Sequence, residues 1–289
     1  MKFTKKIASL ALAGLMALSG TALAAGFDAG NDITVISRED GSGTRGAFIE
    51  LFGVEQKNEA GEKVDYTTDL AVITNATSVM MTSVAGDVNA IGYISLGSLN
   101  ESVKALRIDG AEASVETIKA GEYKICRPFN VVLSANASEG AKDFLSFILS
   151  AEGQQVVADN GYIANEEVAA YEGAATGEKI VVAGSSSVTP VMEKLAEAYK
   201  AIYPDAVIEV QQTDSTSGMN AAIDGICDIG MASRELKESE IEKGLVSQVI
   251  ATDGIAVIVN LDNPTEELSS DAVRAIYMGE ALTWADVLE

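Results

Sequence analysis

Ile33-Thr-Val-Ile-Ser-Arg-Glu-Asp-Gly-Ser-Gly-Thr-Arg-Gly-Ala-Phe48 contains a full change of local structure within one short stretch. Ile33, Val35 and Ile36 are β-branched and apolar, which predicts a strand over 33–36. Ser37 to Arg45 is built largely from small hydroxyl and glycine residues, and the apolar positions between Ala47 and Phe52 predict a helix. Such a loop delivers the chain to a helix start. There the first backbone N–H groups have no intrahelical partner, the macrodipole is positive, and small side chains let an anion come close.

The same strand, loop and helix grammar recurs twice. Ile180-Val-Val182 leads into Gly184-Ser-Ser-Ser-Val-Thr-Pro190 and an amphipathic segment with Val191, Leu195, Tyr199 and Ile202 on one face. Val207-Ile-Glu-Val210 leads into Asp214-Ser-Thr-Ser-Gly218 and the apolar stretch Met219 to Ile223. Further apolar runs lie at Ala90–Ile94, Asn130–Leu133 and Ile255–Val259, with a helical pattern from Lys142 to Leu149. Alternation of this kind predicts an α/β fold with a largely parallel sheet. Glu166 to Glu178, rich in Ala, Gly and Glu, is the expected surface loop or linker.

Each hydroxyl-rich loop also has a plainer reading as a helix cap. Thr189 before Pro190 suits an N-cap followed by proline at the first helical position. Three such loops in one chain, one of them carrying Arg38, point instead to a shared anion site. Gly41-Ser-Gly-Thr-Arg-Gly46 fits G-x-G-x-x-G, yet no second apolar strand ending in an acid follows it, so a dinucleotide site is not predicted. No Walker lysine follows any of the loops.

The chain has 289 residues, 47% apolar and 22% charged, with no histidine. It is long enough to bury a large core. The missing histidine excludes Ser-His-Asp and Cys-His catalysis and histidine metal sites, leaving only rarer Ser-Lys or carboxylate chemistry for an enzyme such as a phosphatase. The formal charge is −23, and it becomes −26 if residues 1–25, with three lysines and no acid, are removed. Nucleic acid is therefore excluded as a partner, since backbone phosphates need clustered Lys and Arg. A small anion is not excluded, because charges beyond a Debye length of about 8 Å are screened.

Residues 1–25 read as an export signal cleaved near Ala24 or Ala25. Lys2, Lys5 and Lys6 precede the apolar run Ile7 to Leu18 and the small-residue ending Thr21-Ala-Leu-Ala24. An uncleaved membrane anchor is the rival reading. Cys126 and Cys227 both sit among apolar neighbours, and two isolated thiols are expected over a disulfide.

These residues resemble the phosphate-binding proteins of bacterial phosphate ABC importers, which have the type II periplasmic-binding-protein fold. The stretch 33–48 is similar to their most specific signature. Val84-Ala-Gly-Asp-Val-Asn-Ala-Ile-Gly-Tyr-Ile-Ser-Leu96, Asp228-Ile-Gly-Met-Ala-Ser-Arg-Glu-Leu236 and Asp253-Gly-Ile-Ala-Val-Ile-Val-Asn260 resemble three more. The order differs from the family's usual one, in which the serine loop seen here at 184–190 comes first. Ile276 to Asp286 resembles the segment that ordinarily runs into the strand at Ile33, so the resemblance implies a circular permutation. It also implies hinge strands near 123–133 and 253–260. One lobe would then be continuous over 124–258 and the other split into 27–123 and 259–289, with the ligand in the cleft between them.

By the same resemblance, Arg38 makes the charged contact to phosphate oxygens while Ser42, Gly43 and Thr44 donate from a helix start. Ser186, Ser187 and Ser215 donate from the opposite lobe. Many relatives carry an aspartate after the serine equivalent to Ser233, where it accepts the proton of hydrogen phosphate; this chain has Arg234. Asp40 is the substitute acceptor to consider, against a simpler pairing with Arg38. Arg234 is either a second positive contact or a solvated side chain. The implied function is an exported, monomeric, non-enzymatic solute-binding protein. It needs no cofactor or metal and hands phosphate to the membrane permease and ATPase subunits of an ABC importer. A binding protein for sulfate or molybdate, or an extracellular phosphate sensor, is the alternative.

Overall fold

The computed structural model describes residues 26–173 and 177–288. The expected export signal, 1–25, lies outside the described residues, as does 174–176 in the middle of the expected linker. Among the described residues, no helix is long and apolar enough to cross a membrane.

Eight strands of one mixed sheet carry the architecture: β1 (Thr34–Arg38), β2 (Val72–Thr74), β3 (Ala90–Ser95), β4 (Cys126–Leu133), β5 (Lys179–Ser185), β6 (Val207–Thr213), β7 (Ile229–Ala232) and β8 (Ser247–Val259). Their spatial order is β6-β5-β7-β4-β8-β3-β1-β2, with the short strand Lys104–Ala105 added on β8. β1 runs parallel to β2 and β3, and β5 parallel to β6 and β7. The two parallel groups are joined by β4 and β8, which pair antiparallel along most of their length with Arg127 opposite Asp253.

The helices that matter for the cleft are α1 (Gly43–Leu51), α2 (Thr77–Ala85), α3 (Glu139–Ile148), α4 (Thr189–Ile202), α5 (Ser215–Ile223) and α6 (Ser270–Met278). Local sequence sets their limits. α6 starts at the Ser269 cap, whose hydroxyl accepts from the Ala272 N–H, and stops at Gly279 in the left-handed region at φ 72°. In α4, Val191, Leu195 and Tyr199 are buried as the periodicity predicts, but Ile202 is exposed because it is the last helical residue. Thr189 is not the N-cap expected from the Thr-Pro pair. It is already helical, Val188 occupies the cap position, and the Thr189 hydroxyl donates to the Ser185 carbonyl at 3.0 Å.

Burial falls on either side of the β4–β8 pair. One core gathers Phe48, Tyr93, Ile125, Ile255–Val259, Tyr277 and Trp284. The other side gathers Phe129, Phe144, Leu195, Tyr199 and Ile250, with a smaller group around Met219 and Cys227. Ile255 to Ile258 thus pack with the first core, although the sequence division at 258 groups them with the second. The packing is tight where it supports the cleft: Phe48 and Tyr93 stack with ring centroids 3.9 Å apart, and Tyr277 meets Phe48 edge-on at 4.6 Å. Cys126 and Cys227 are both free thiols.

The two ends of the described chain lie together. Ile33 N–H donates to the Leu282 carbonyl at 2.8 Å and Ala285 N–H to Ala29 at 2.7 Å, while Phe27 packs against Trp284 with ring centroids 6.0 Å apart.

Candidate functional site

The carboxyl ends of β1 and β5 face each other across the sheet's central pair, and the loops leaving them form the cleft. β1 ends at Arg38, which is 2% exposed. Its backbone N–H donates to the Tyr93 hydroxyl at 3.1 Å, and Ser37 shares that hydroxyl at 2.9 Å. Burial pushes the Tyr93 phenol up to about 12, so it stays a neutral anchor for the strand end. The Arg38 guanidinium is gripped by Glu39 through two parallel bonds of 2.8 Å, Nε to Oε2 and Nη2 to Oε1. Nη2 also donates to the Ser186 Oγ of the opposite lobe at 3.0 Å.

α1 begins in the same loop. Ser42 is its N-cap, accepting the Arg45 N–H at 3.3 Å, so the first-turn N–H groups of Gly43 and Thr44 point into the cleft end of the helix without an intrahelical acceptor. Gly43 has to be glycine here, since a Cβ would collide with the Ser215 hydroxyl and stand 2.8 Å from that of Ser233. Thr44 Oγ1 lies 2.7 Å from Ser187 Oγ.

From the other side, Ser186 and Ser187 occupy the turn between β5 and α4. Ser187 N–H donates to Ser185 Oγ at 3.2 Å, and Ser185 donates onward to Ser233 Oγ at 2.9 Å. Ser215, the first residue of α5, accepts the Ser233 N–H at 3.1 Å, and Asp214 caps the helix through the Ser217 N–H at 2.9 Å. The structure therefore brings Arg38, Ser42, Gly43, Thr44, Ser186, Ser187 and Ser215 to one place, all with buried side chains or, for Gly43, a buried backbone.

Two candidates do not join them. Asp40 points outward with its side chain 97% exposed and pairs with Arg45 at 2.9 Å. The acid beside Arg38 is Glu39 instead, because Arg45 bridges the outer side of the loop by donating to both Asp40 and the Arg38 carbonyl. Arg234 is not a solvated side chain: it is held in a nearly buried ion pair. Its guanidinium forks onto Glu240 at 2.9 and 2.7 Å, and Glu240 in turn accepts the Lys237 N–H at 2.8 Å. That arrangement holds the Glu240 carboxyl below its usual range against the effect of burial.

Sequence reasoning did not single out Thr77 or Ser185, and named Ser233 only as a reference point. Thr77 Oγ1 lies 3.3 Å from Ser186 Oγ and 3.4 Å from Ser187 Oγ. The signal existed in Ile73-Thr-Asn-Ala-Thr-Ser78, a short apolar run followed by hydroxyls and a helix, but it lacks the glycines that marked the other loops.

Chemically the cleft offers one guanidinium already balanced by a carboxylate, several neutral hydroxyls and helix-start N–H groups. Neutral donors of this type can surround an anion without placing a bare countercharge in the protein when the anion leaves. Both Glu39 oxygens accept from Arg38, and the hydroxyls of the site can accept as well as donate. Among the described residues, no cluster of His, Cys, Asp and Glu is arranged to hold a metal.

The model of the PBP superfamily domain matches residues 9–152 and 169–289. The chain is 52% identical to phosphate-binding protein PstS 2 of Streptococcus agalactiae serotype V, over 99% of both chains. It is 46% identical to phosphate-binding protein PstS 2 of Streptococcus pneumoniae serotype 4, over 98% of this chain and 99% of that one. A crystal structure described as a phosphate ABC transporter, phosphate-binding protein from Streptococcus pneumoniae TIGR4 superposes with a TM-score of 0.68 at 46% identity. It covers 89% of this chain and all of its own. The two-lobed α/β architecture, the shared cleft and this full-length similarity place the chain in the PBP superfamily, as a member of the PstS phosphate-binding protein family.

Proposed function

We propose that the cleft captures inorganic phosphate and that the protein, exported through residues 1–25, delivers it to the permease and ATPase subunits of an ABC importer. The observation that carries this reading is the meeting of Arg38 and Thr44 from one lobe with Ser186 and Ser187 from the other, all buried and all hydrogen-bonded across the cleft. A tetrahedral anion replaces these cross-lobe hydroxyl contacts with charge-assisted ones, each worth about 1.5–3 kcal/mol. Closure around the anion needs no catalytic group, and the protein acts as a monomeric binder with release by lobe opening.

A circular permutation, as the resemblance implies, is part of the same proposal. The two streptococcal relatives align end to end with this chain, so they share its order, and the hydrogen-bonded ends at 29–33 and 282–285 are the kind of junction where a chain can be cut and rejoined. Calorimetric titration with phosphate, arsenate, sulfate and molybdate tests the function. Tight phosphate binding with sulfate at least about 100-fold weaker supports it, a discrimination of roughly 2.7 kcal/mol. Sulfate binding as tight as phosphate, or no phosphate binding, overturns it.

A further inference from the structure

We propose that Thr77 is a further ligand-binding residue of the cleft, supplying a neutral donor from a helix start that the sequence signature does not mark. The inference rests on the reading that the cleft takes phosphate.

Backbone pairing puts Thr77 there. β2 lies parallel to β1 with Thr74 opposite Arg38, and the Glu39 N–H donates to the Thr74 carbonyl at 3.0 Å. The chain leaving β2 must therefore enter the cleft beside the guanidinium, as expected at the carboxyl ends of adjacent parallel strands. Three residues later Thr77 opens α2, a residue only 5% exposed.

Its hydroxyl sits between two partners from the opposite lobe, 3.3 Å from Ser186 and 3.4 Å from Ser187. Both distances are long for an O–H···O bond, whose usual value is about 2.7–2.8 Å. Ser186 and Ser187 are better served elsewhere, by Arg38 Nη2 at 3.0 Å and Thr44 Oγ1 at 2.7 Å. The Thr77 hydroxyl is thus buried, weakly held and directed at the same two serines that the other site residues address. An anion oxygen among them gives it the stronger acceptor it lacks.

The start of α2 supports this. Ser42 and Asp214 cap α1 and α5 with side-chain oxygens, whereas α2 has Ala76 at its cap position and no side-chain cap. Nothing from its own sequence competes for the first-turn N–H groups, which lie next to the Thr77 side chain.

The test is phosphate affinity by calorimetry on Thr77→Val and Thr77→Ser, with melting of the ligand-free proteins alongside. T77V is expected to bind phosphate about 10- to 100-fold more weakly, the scale of one charge-assisted hydrogen bond, while T77S stays within about threefold of the parent. Should Val at this position prevent folding, Thr77→Ala carries the same expectation. A valine or alanine variant that keeps parental phosphate affinity, or a serine variant as weak as valine, overturns the role of Thr77. If the parent protein itself binds no phosphate, the reading of the cleft fails instead.

Discussion

Thr44 Oγ1 stands 2.7 Å from Ser187 Oγ although 143 positions separate the two residues in the chain. Each belongs to the loop or first turn at the start of a helix, and the two helices lie on opposite sides of the β4–β8 pair. Contact between them is therefore a direct reading of lobe closure. Hydroxyls suit such a place, since each can donate or accept as its partner requires.

Gly41 brings backbone from the two lobes together at the cleft's rim. Its carbonyl accepts the Thr216 N–H from the other lobe at 3.2 Å, and a Cβ there would run into the Asp214 carboxylate. That carboxylate is pinned by the Ser217 N–H at 2.9 Å and its hydroxyl at 2.5 Å, so it cannot easily swing aside. Gly41→Ala should oppose closure by about 1–3 kcal/mol, weakening phosphate binding roughly 5- to 150-fold. Calorimetry measures the loss. Small-angle scattering should show a more open shape for the variant, and an unchanged affinity would mean that the lobes do not meet here.

Arg234 and Glu240 form a nearly buried pair with side chains 10% and 6% exposed. Arg234→Met leaves the Glu240 carboxylate without its countercharge and should cost about 3–5 kcal/mol of stability. Because the guanidinium is committed to Glu240 through two hydrogen bonds, phosphate affinity at a temperature where the variant is folded should stay within about threefold, a change below 1 kcal/mol. Loss of binding without loss of stability would assign Arg234 to the anion after all.

Asp253 lies fully buried on β8 opposite Arg127 of β4, held by Arg127 at 3.1 Å and by the Ser95 hydroxyl at 2.9 Å. Burial pushes its carboxyl from 3.8 up to about 6. The folded protein then binds this proton more tightly than the unfolded chain. Its contribution to stability is complete below about pH 4 and is lost as pH rises through 6. Asp253→Asn holds this side chain permanently neutral, as the protonated acid is, and should leave stability below about pH 4 close to the parent's. It should also remove that particular fall in melting temperature between about pH 4 and 6. A parent and variant with parallel melting profiles over this range would contradict the assignment.

Much of the fold was legible because strand and helix signals were dense in apolar residues. The run Ile33–Ile36, the helix around Val191, Leu195 and Tyr199, and the long apolar stretch Ile255–Val259 all carry their period in the side chains themselves. The site residues from Arg38 to Thr44 and at 186, 187 and 215 could be picked out because glycine and serine concentrated before helices leave a local mark. What stayed hidden depends on partners far away or on a choice between neighbours. Whether Glu39 or Asp40 takes Arg38 is decided by Arg45, which draws Asp40 outward. Arg234 could not be assigned without seeing Glu240 fold back beneath it through the Lys237 turn. Thr77 follows a strand of three residues, too short for its period to register, and its importance comes from Thr74 lying opposite Arg38 in the sheet.

The most direct measurement of the central claim is the phosphate dissociation constant of Arg38→Ala compared with that of the parent protein, by calorimetry at fixed pH and salt. Among the described residues, Arg38 is the guanidinium at the cleft with a cross-lobe hydrogen bond, to Ser186 at 3.0 Å. Its removal should weaken binding by about 100-fold or more, since a charged contact and the carboxylate that balanced it are both disturbed. Parental affinity in the alanine variant would show that phosphate binds elsewhere or not at all in this cleft.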